Sequence, residues 1–267
     1  MREPSIDTHS ALDLTPVQVR ERCRSGELTG PTAGLAHVQA NLVVLPRSLA
    51  FDFLVFCHRN PKPCPLLDIT EAGDPEPRMI APGADIRTDL PLYRIFKNGE
   101  LVEETGDIRA YWRSDSVAFL IGCSFTFESA MLQAGLPVRH IEEGKNVPMY
   151  RTSLSCSPVG CFSGPIVVSM RPLSPLHAIR AVQITSRYPK SHGAPLHIGD
   201  AAHLGIQNLD APDYGDPVTV YEHETPVFWA CGVTPQAVIL HARPEIAITH
   251  APGHMFIADT PGVGEAL

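Results

Sequence analysis

The chain has 267 residues, a formal net charge of -8 and 44% hydrophobic residues. That balance argues against a broad nucleic-acid footprint, which needs clustered Lys and Arg. No window approaches the roughly 18 apolar residues of a membrane span, and Met1 to Asp7 carry no apolar signal region. The seven cysteines are odd in number and spaced without a disulfide framework. They fit a reducing compartment, so a soluble cytoplasmic protein is expected.

Thr15-Pro16 predicts an N-cap with proline at the first helical position, and Gly26 closes that helix. A second helix is predicted from Pro31 to Asn41. A third opens at Pro46, where Leu49, Phe53, Phe56 and Cys57 recur at helical steps. Three prolines between Asn60 and Pro65 end it. Leu66 to Ile69 reads as a strand, and residues 70 to 91 as loop. Tyr93 to Lys97 and Glu100 to Val102 flank Asn98-Gly99, a hairpin signal. A short helix is predicted over Ile108 to Trp112.

Val117 to Gly122 is an apolar run of strand length, followed by a helix from Phe127 to Gln133. Strands are predicted over Val147 to Ser155 and Ile166 to Met170, then a helix from Ser174-Pro175 to Ser186. Val218 to Tyr221 reads as a strand. Val227 to Ala230 leads into a helix over Pro235 to His241. Two final strands cover Ile246 to His250 and His254 to Ala258. The fold class is therefore α/β, a mixed sheet with flanking helices, with the hairpin and irregular middle in a smaller α+β lobe. Cys123-x-x-Thr126-x-Glu128 and Cys231-x-x-Thr234-x-Gln236 each join an apolar strand to a helix. They suggest a short internal repeat, two equivalent βα units of one sheet.

The stretch Ile184 to Asp200 concentrates His192, His197, Arg187, Lys190 and Asp200 in a loop. Such loops can present ionisable groups from a rigid scaffold. His192 titrates near neutrality when unperturbed, and Asp200 could orient a histidine. Cys123 and Cys231 precede helix N-termini, where a thiol pKa can fall, although buried strand-end cysteines are common. The hydroxyls of Thr126 and Thr234 read as caps. Arg87, Arg94, Arg151, Arg171 and Arg187 suit carboxylate recognition as a set. His192, His197, Asp200 and His203, or His250 and His254, match no dedicated zinc pattern. Neither a metal nor another cofactor is expected.

Several motifs together resemble one family. They are Phe56-Cys57-x-x-Asn60-Pro61-Lys62-Pro63-Cys64-Pro65, Asp85-Ile86-Arg87-Thr88-Asp89-Leu90-Pro91 and Gly122 to Glu128. Asn146 to Thr152, Val167 to Pro172, the 184–200 stretch, Pro226 to Gln236 and Ile248 to Met255 continue the pattern. From about Pro16 to Asp259 the chain resembles the D-glutamate cyclase family of bacterial hydro-lyases. The resemblance implies one family unit over residues 1–267, folded as two intertwined lobes. It implies a carbon–oxygen lyase acting on a small amino or hydroxy carboxylate; D-glutamate cyclase itself forms 5-oxo-D-proline and water. On that reading His192 and Asp200 transfer protons with Cys123 as a further candidate, and Arg87, Arg151, Arg187, Thr126 and Thr234 hold carboxylates. The competing expectation is a non-catalytic carboxylate-binding module working with a partner enzyme. Oligomeric state is not legible in the sequence, though a homo-oligomer is common among such enzymes.

Overall fold

The computed structural model describes residues 14–35 and 37–260. Helix α1 (Pro16–Arg24) starts on a capping box between Thr15 and Gln18. Strand β1 (Gln39–Pro46) runs straight into α2 (Arg47–Arg59), and β2 (Leu66–Ile69) follows. The hairpin of β3 (Tyr93–Lys97) and β4 (Glu100–Thr105) turns on Asn98 and Gly99, both at positive φ, as a type I′ turn requires. Then come β5 (Ser116–Gly122), α3 (Phe125–Gln133), a single turn α4 (Arg139–Glu142), β6 (Met149–Ser155) and β7 (Pro165–Leu173). The last third holds α5 (Pro175–Thr185), β8 (His197–Ile198), β9 (Thr225–Ala230), α6 (Val233–Ala242), β10 (Ala247–His250) and β11 (Phe256–Ile257).

The strands form two sheets, one ordered β2-β5-β1-β10-β3-β4 with β11 also on β1, the other β6-β7-β9-β8. All the pairings are antiparallel. The two sheets share a plan. β1, α2, β2, β5, α3 in the first half match β7, α5, β8, β9, α6 in the second. In each half the first strand pairs with the later long strand, which carries the short strand on its far side. The strand after the last helix then crosses over: β6 follows α3 but pairs with β7, while β10 follows α6 but pairs with β1. The halves are therefore interlocked. The β3–β4 hairpin extends only the first.

Packing repeats the plan. On one face of the first sheet, Phe53 and Phe56 of α2 and Val238 and Ile239 of α6 meet Val43, Phe119 and Ile121. On one face of the second, Phe127 and Met131 of α3 and Ala178 and Ala181 of α5 meet Leu173, Val227 and Trp229. The opposite faces are covered by irregular segments, Ile80 to Leu90 in one case and Ala201 to Val218 in the other. Both faces of the central strands are thus dry, which is why they read as unbroken apolar runs rather than as alternation.

The structure departs from four sequence expectations. The described residues among 31–41 contain no helix. Gly34 sits at φ 87, and the Gln39 side-chain amide donates to the carbonyls of Thr32 and Leu35, fixing a turn that leads into β1. Residues 108–112 form turns, not a helix. Val218 to Tyr221 is not a strand; only Val218 is buried there, and the Thr219 carbonyl accepts from Arg139 rather than from a neighbouring strand. The two Cys-x-x-Thr units belong to different sheets, not to one.

Candidate functional site

The two Cys-x-x-Thr turns meet in one apolar cluster that contains Cys123, Phe125, Cys231, Val233 and Val167. Each is tied to the opening strand of its half by the same pair of bonds. The Cys123 N–H donates to the Gln39 carbonyl at 3.0 Å, and the Gln39 N–H donates to Thr126 Oγ1 at 3.0 Å. The Cys231 N–H donates to the Val167 carbonyl at 3.0 Å, and the Val167 N–H donates to Thr234 Oγ1 at 2.9 Å. Both threonines are buried and spent on backbone. Both thiols are buried as well. Burial raises the Cys123 thiol strongly and Cys231 to about 11, against the opposing pull of the N–H groups of Phe125 and Val233.

Two residues further on, the halves diverge. Ser124 and Glu128 lie one turn apart on α3, and Ser169 and Arg171 lie two apart on β7, so each pair shares a face. The faces meet. The Arg171 guanidinium donates to Glu128 Oε1 through Nε at 3.0 Å and again through Nη2, to Ser169 Oγ at 3.0 Å and to Ser124 Oγ at 3.1 Å. Its flat faces lie 5.3 Å from the ring centres of both Phe127 and Trp229. His140, in α4, places Nε2 3.3 Å from Glu128 Oε1. Arg171, Glu128 and His140 are each about 1% exposed. Burial pushes the Glu128 carboxyl up, but His140 and Arg171 outweigh it and hold the pKa at about 2. In the second half Gln236 replaces the glutamate, and its amide faces His250 instead of an arginine.

His192 joins this cluster from the 184–200 stretch. A Cβ on Gly122 would fall 1.7 Å from the Lys190 carbonyl oxygen, so the absence of a side chain there lets the loop seat on the end of β5. His192 is 2% exposed, with φ 74. A non-glycine residue in that left-handed region carries strain of about 1–2 kcal/mol, and such strain concentrates at functional sites. Its Nδ1 lies 2.9 Å from the Lys62 carbonyl. A carbonyl only accepts, so the neutral ring carries its proton on Nδ1 and its lone pair on Nε2. Burial lowers its pKa to about 4, and the charges of Lys62 and Arg171 add to the fall, against the carbonyls of Lys62 and Gly122.

Among the described residues, the buried side-chain atoms without a hydrogen-bond partner are Glu128 Oε2, His140 Nε2 and His192 Nε2. Glu128 pairs with Arg171 and stands 3.3 Å from His140, and His192 lies within the field of the Arg171 charge. Unpaired buried polar atoms are uncommon and call for an explanation; their presence on neighbouring packed elements marks this as the candidate site.

The other sequence-derived candidates lie apart from it. Asp200 caps a short 3-10 turn (Ala201–Leu204) by accepting from Ala202 at 2.9 Å, and no hydrogen bond joins it to His192. It lines a groove of about 500 Å³ with Gly199, Gln207 and Glu224. Arg87 is clamped bidentately by its neighbour Asp85, near a groove of about 390 Å³ lined by Arg24, Asp85, Thr88 and Arg109. Arg151 donates to the Tyr214 hydroxyl, and Arg187 is exposed. The grooves are the roomier concavities, but the buried cluster alone combines unpartnered polar atoms with a depressed histidine and carboxyl. Among the described residues no group of three or more His, Cys, Asp or Glu is placed to hold a metal ion. No described helix is long and apolar enough to cross a membrane. Sequence reasoning passed over Glu128, His140, Ser124, Ser169 and Lys62 and kept Arg171 only in a general set. The one usable signal was the Glu/Gln difference at the end of the repeat.

Comparison with known proteins places this geometry in context. Residues 117–259 match the family model described as D-glutamate cyclase. That span includes β5, α3, β7 and the 184–200 stretch. A "Putative hydro-lyase" of Stutzerimonas stutzeri is 64% identical, covering 92% of this chain and 94% of that one. Chains of the same name from Thermoanaerobacter sp. and Bordetella pertussis are 61% and 62% identical, covering 92% and 91% of this chain and 94% and 88% of theirs. Among solved structures, a nitrogen repressor-like protein from Methanococcus jannaschii aligns with a TM-score of 0.38 at 9% identity, over 91% of this chain and 97% of that one. That likeness is too loose to argue from.

Proposed function

Because the chain belongs to the D-glutamate cyclase family, we propose that it is a hydro-lyase, a carbon–oxygen lyase, acting on a small amino or hydroxy carboxylate, with His192 as its proton-transfer group. The observation that carries the reading is the unpartnered Nε2 of a neutral, buried imidazole beside a charged cluster. Loss of water needs a proton removed from the substrate and a proton delivered to the departing hydroxyl. One imidazole can do both in turn: Nε2 accepts the substrate proton, the C–O bond breaks, and the same proton leaves on the oxygen as water. A base neutral at physiological pH is ready for the first step, and the carbonyls of Lys62 and Gly122 favour the transient imidazolium. Cys123 stays protonated in this scheme and packs the floor.

The Arg171 charge is already matched by Glu128, so it organises the cluster rather than binding the substrate carboxylate. The site is closed in this structure, and substrate entry requires the 188–194 loop to lift from Gly122. The test is a panel of small amino and hydroxy carboxylates, with water loss followed by proton NMR and binding by calorimetry. Turnover that disappears in His192→Gln supports the reading. Binding without turnover in the unaltered protein would favour the carboxylate-binding module instead.

A further inference from the structure

His192 and Gly193 are consecutive left-handed residues, at φ 74 and 66. The non-glycine member of such a pair is strained, and its surroundings hold it there. Part of that fixing is local: the N–H groups of Ser191 and Gly193 both donate to the Tyr188 carbonyl at 2.9 Å. A further hold comes from a residue 130 positions away. The Lys62 carbonyl accepts from His192 Nδ1 at 2.9 Å, and the Lys62 ammonium donates to the Ala194 carbonyl at 2.6 Å. A single side chain and its own main chain thus grip the His192-Gly193-Ala194 turn at both ends. Lys62 is itself held in the rigid connection between α2 and β2. Asn60 fixes that connection by donating to the Phe56 and Ser157 carbonyls and accepting from the Ser157 N–H.

We propose that Lys62 is the positioning residue of the site: it fixes the tautomer of His192 and latches the loop that carries it. This rests on His192 being the proton-transfer group, and it names what holds that group ready. The ammonium is only half-buried. It donates to Ala194 through one of its three N–H groups. The charged and polar groups facing His192 are Lys62, Arg171, and the carbonyls of Lys62 and Gly122. Removing the Lys62 charge and loosening the loop both act to raise the imidazole's affinity for a proton.

The test compares Lys62→Met, Lys62→Gln and Lys62→Arg in the full chain. In Lys62→Met, kcat should fall by about 10- to 100-fold with KM within about threefold, the cost of a misplaced catalytic group. The acid limb of its pH–rate profile should move to higher pH. Lys62→Arg, which keeps a charged donor, should recover kcat to within about threefold of the unaltered protein. Lys62→Gln keeps a donor without the charge and separates the latch from the field. Histidine-selective ¹⁵N NMR reads the tautomer and titration of His192 independently of turnover. In the unaltered protein it should show the proton on Nδ1, and in Lys62→Met a mixture of tautomers and an upward shift in titration. An Nε2-protonated ring in the unaltered protein overturns the inference even if no variant folds. So does a Lys62→Met enzyme with unchanged tautomer, titration and kcat. Full turnover in His192→Gln would sink the catalytic reading alone, because the NMR result still decides the role of Lys62.

Discussion

The two ends of the repeat have the same skeleton and opposite electrostatics. In the first half, Cys123 and Thr126 anchor α3 to β1; in the second, Cys231 and Thr234 anchor α6 to β7 by the same bonds at nearly the same distances. At the next shared position, Glu128 faces Arg171 and Gln236 faces His250. One position therefore decides whether a buried polar pocket is ionised or neutral. The backbone anchors belong to the scaffold, and we propose that the chemistry belongs to the place where the two copies differ.

The largest effect should come from breaking that difference. Glu128→Gln leaves the Arg171 charge buried without its partner, which costs about 3–5 kcal/mol. Gln236→Glu sets a new carboxylate against a neutral His250 and should destabilise on a similar scale. Urea melts of the two variants measure both. A loss of under about 1 kcal/mol in Glu128→Gln would mean the ion pair is not organising the cluster.

Acid should act on both halves, with a known sign. His192 and His250 have folded pKa values of about 4 and about 3, each lowered first by burial. The unfolded chain, with histidines near 6.5, therefore binds more protons between those values. Stability is fully present above pH 6.5 and is lost as pH falls toward 4 and then 3, on the order of 3 to 5 kcal/mol for each histidine. Glu128, held at about 2, extends the loss below pH 4.5. Unfolding midpoints measured between pH 7 and 4 check this, and His250→Leu should flatten part of the slope.

Smaller and matched effects are expected at the anchors. Thr126→Val and Thr234→Val each leave a buried strand N–H unpaired, at a cost of about 1–3 kcal/mol. The two values should agree to within about 1 kcal/mol if the halves are equivalent in scaffold. Thiol labelling gives the smallest perturbation. Six of the seven cysteines are buried and Cys161 is exposed, so one thiol should react fast and six slowly.

Much of the scaffold was legible in the sequence. The Pro46 and Ser174-Pro175 helix starts, the Asn98-Gly99 hairpin and the apolar strands all carry local signals. The Cys-x-x-Thr match was also visible, but not the crossing of β6 and β10. Strand exchange depends on pairings between distant residues and leaves no local mark. For the site, composition drew attention to the charged 184–200 loop, and the structure buries its His192 while leaving Arg187 and Asp200 outside. Arg171 and Glu128 were hidden for the opposite reason. Each sits in an apolar run, where a lone charge reads as an edge residue, although here it is neutralised across the junction between the halves.

Many residues that carry the family resemblance are joints of this kind. Asn60 staples the end of α2 to the Ser157 loop, and Asp89 ties α1 to the 85–90 turn through Arg24.

The central claim is that His192 moves the proton. The direct measurement is the rate of water loss by His192→Gln against the unaltered protein, on whichever carboxylate the panel identifies, with the two shown to be equally folded. A fall of about 10²- to 10⁴-fold is expected for the loss of a general base. A rate within about threefold of the unaltered enzyme, in a folded variant, would contradict the account and return the search to the open grooves at Asp200 and Arg109.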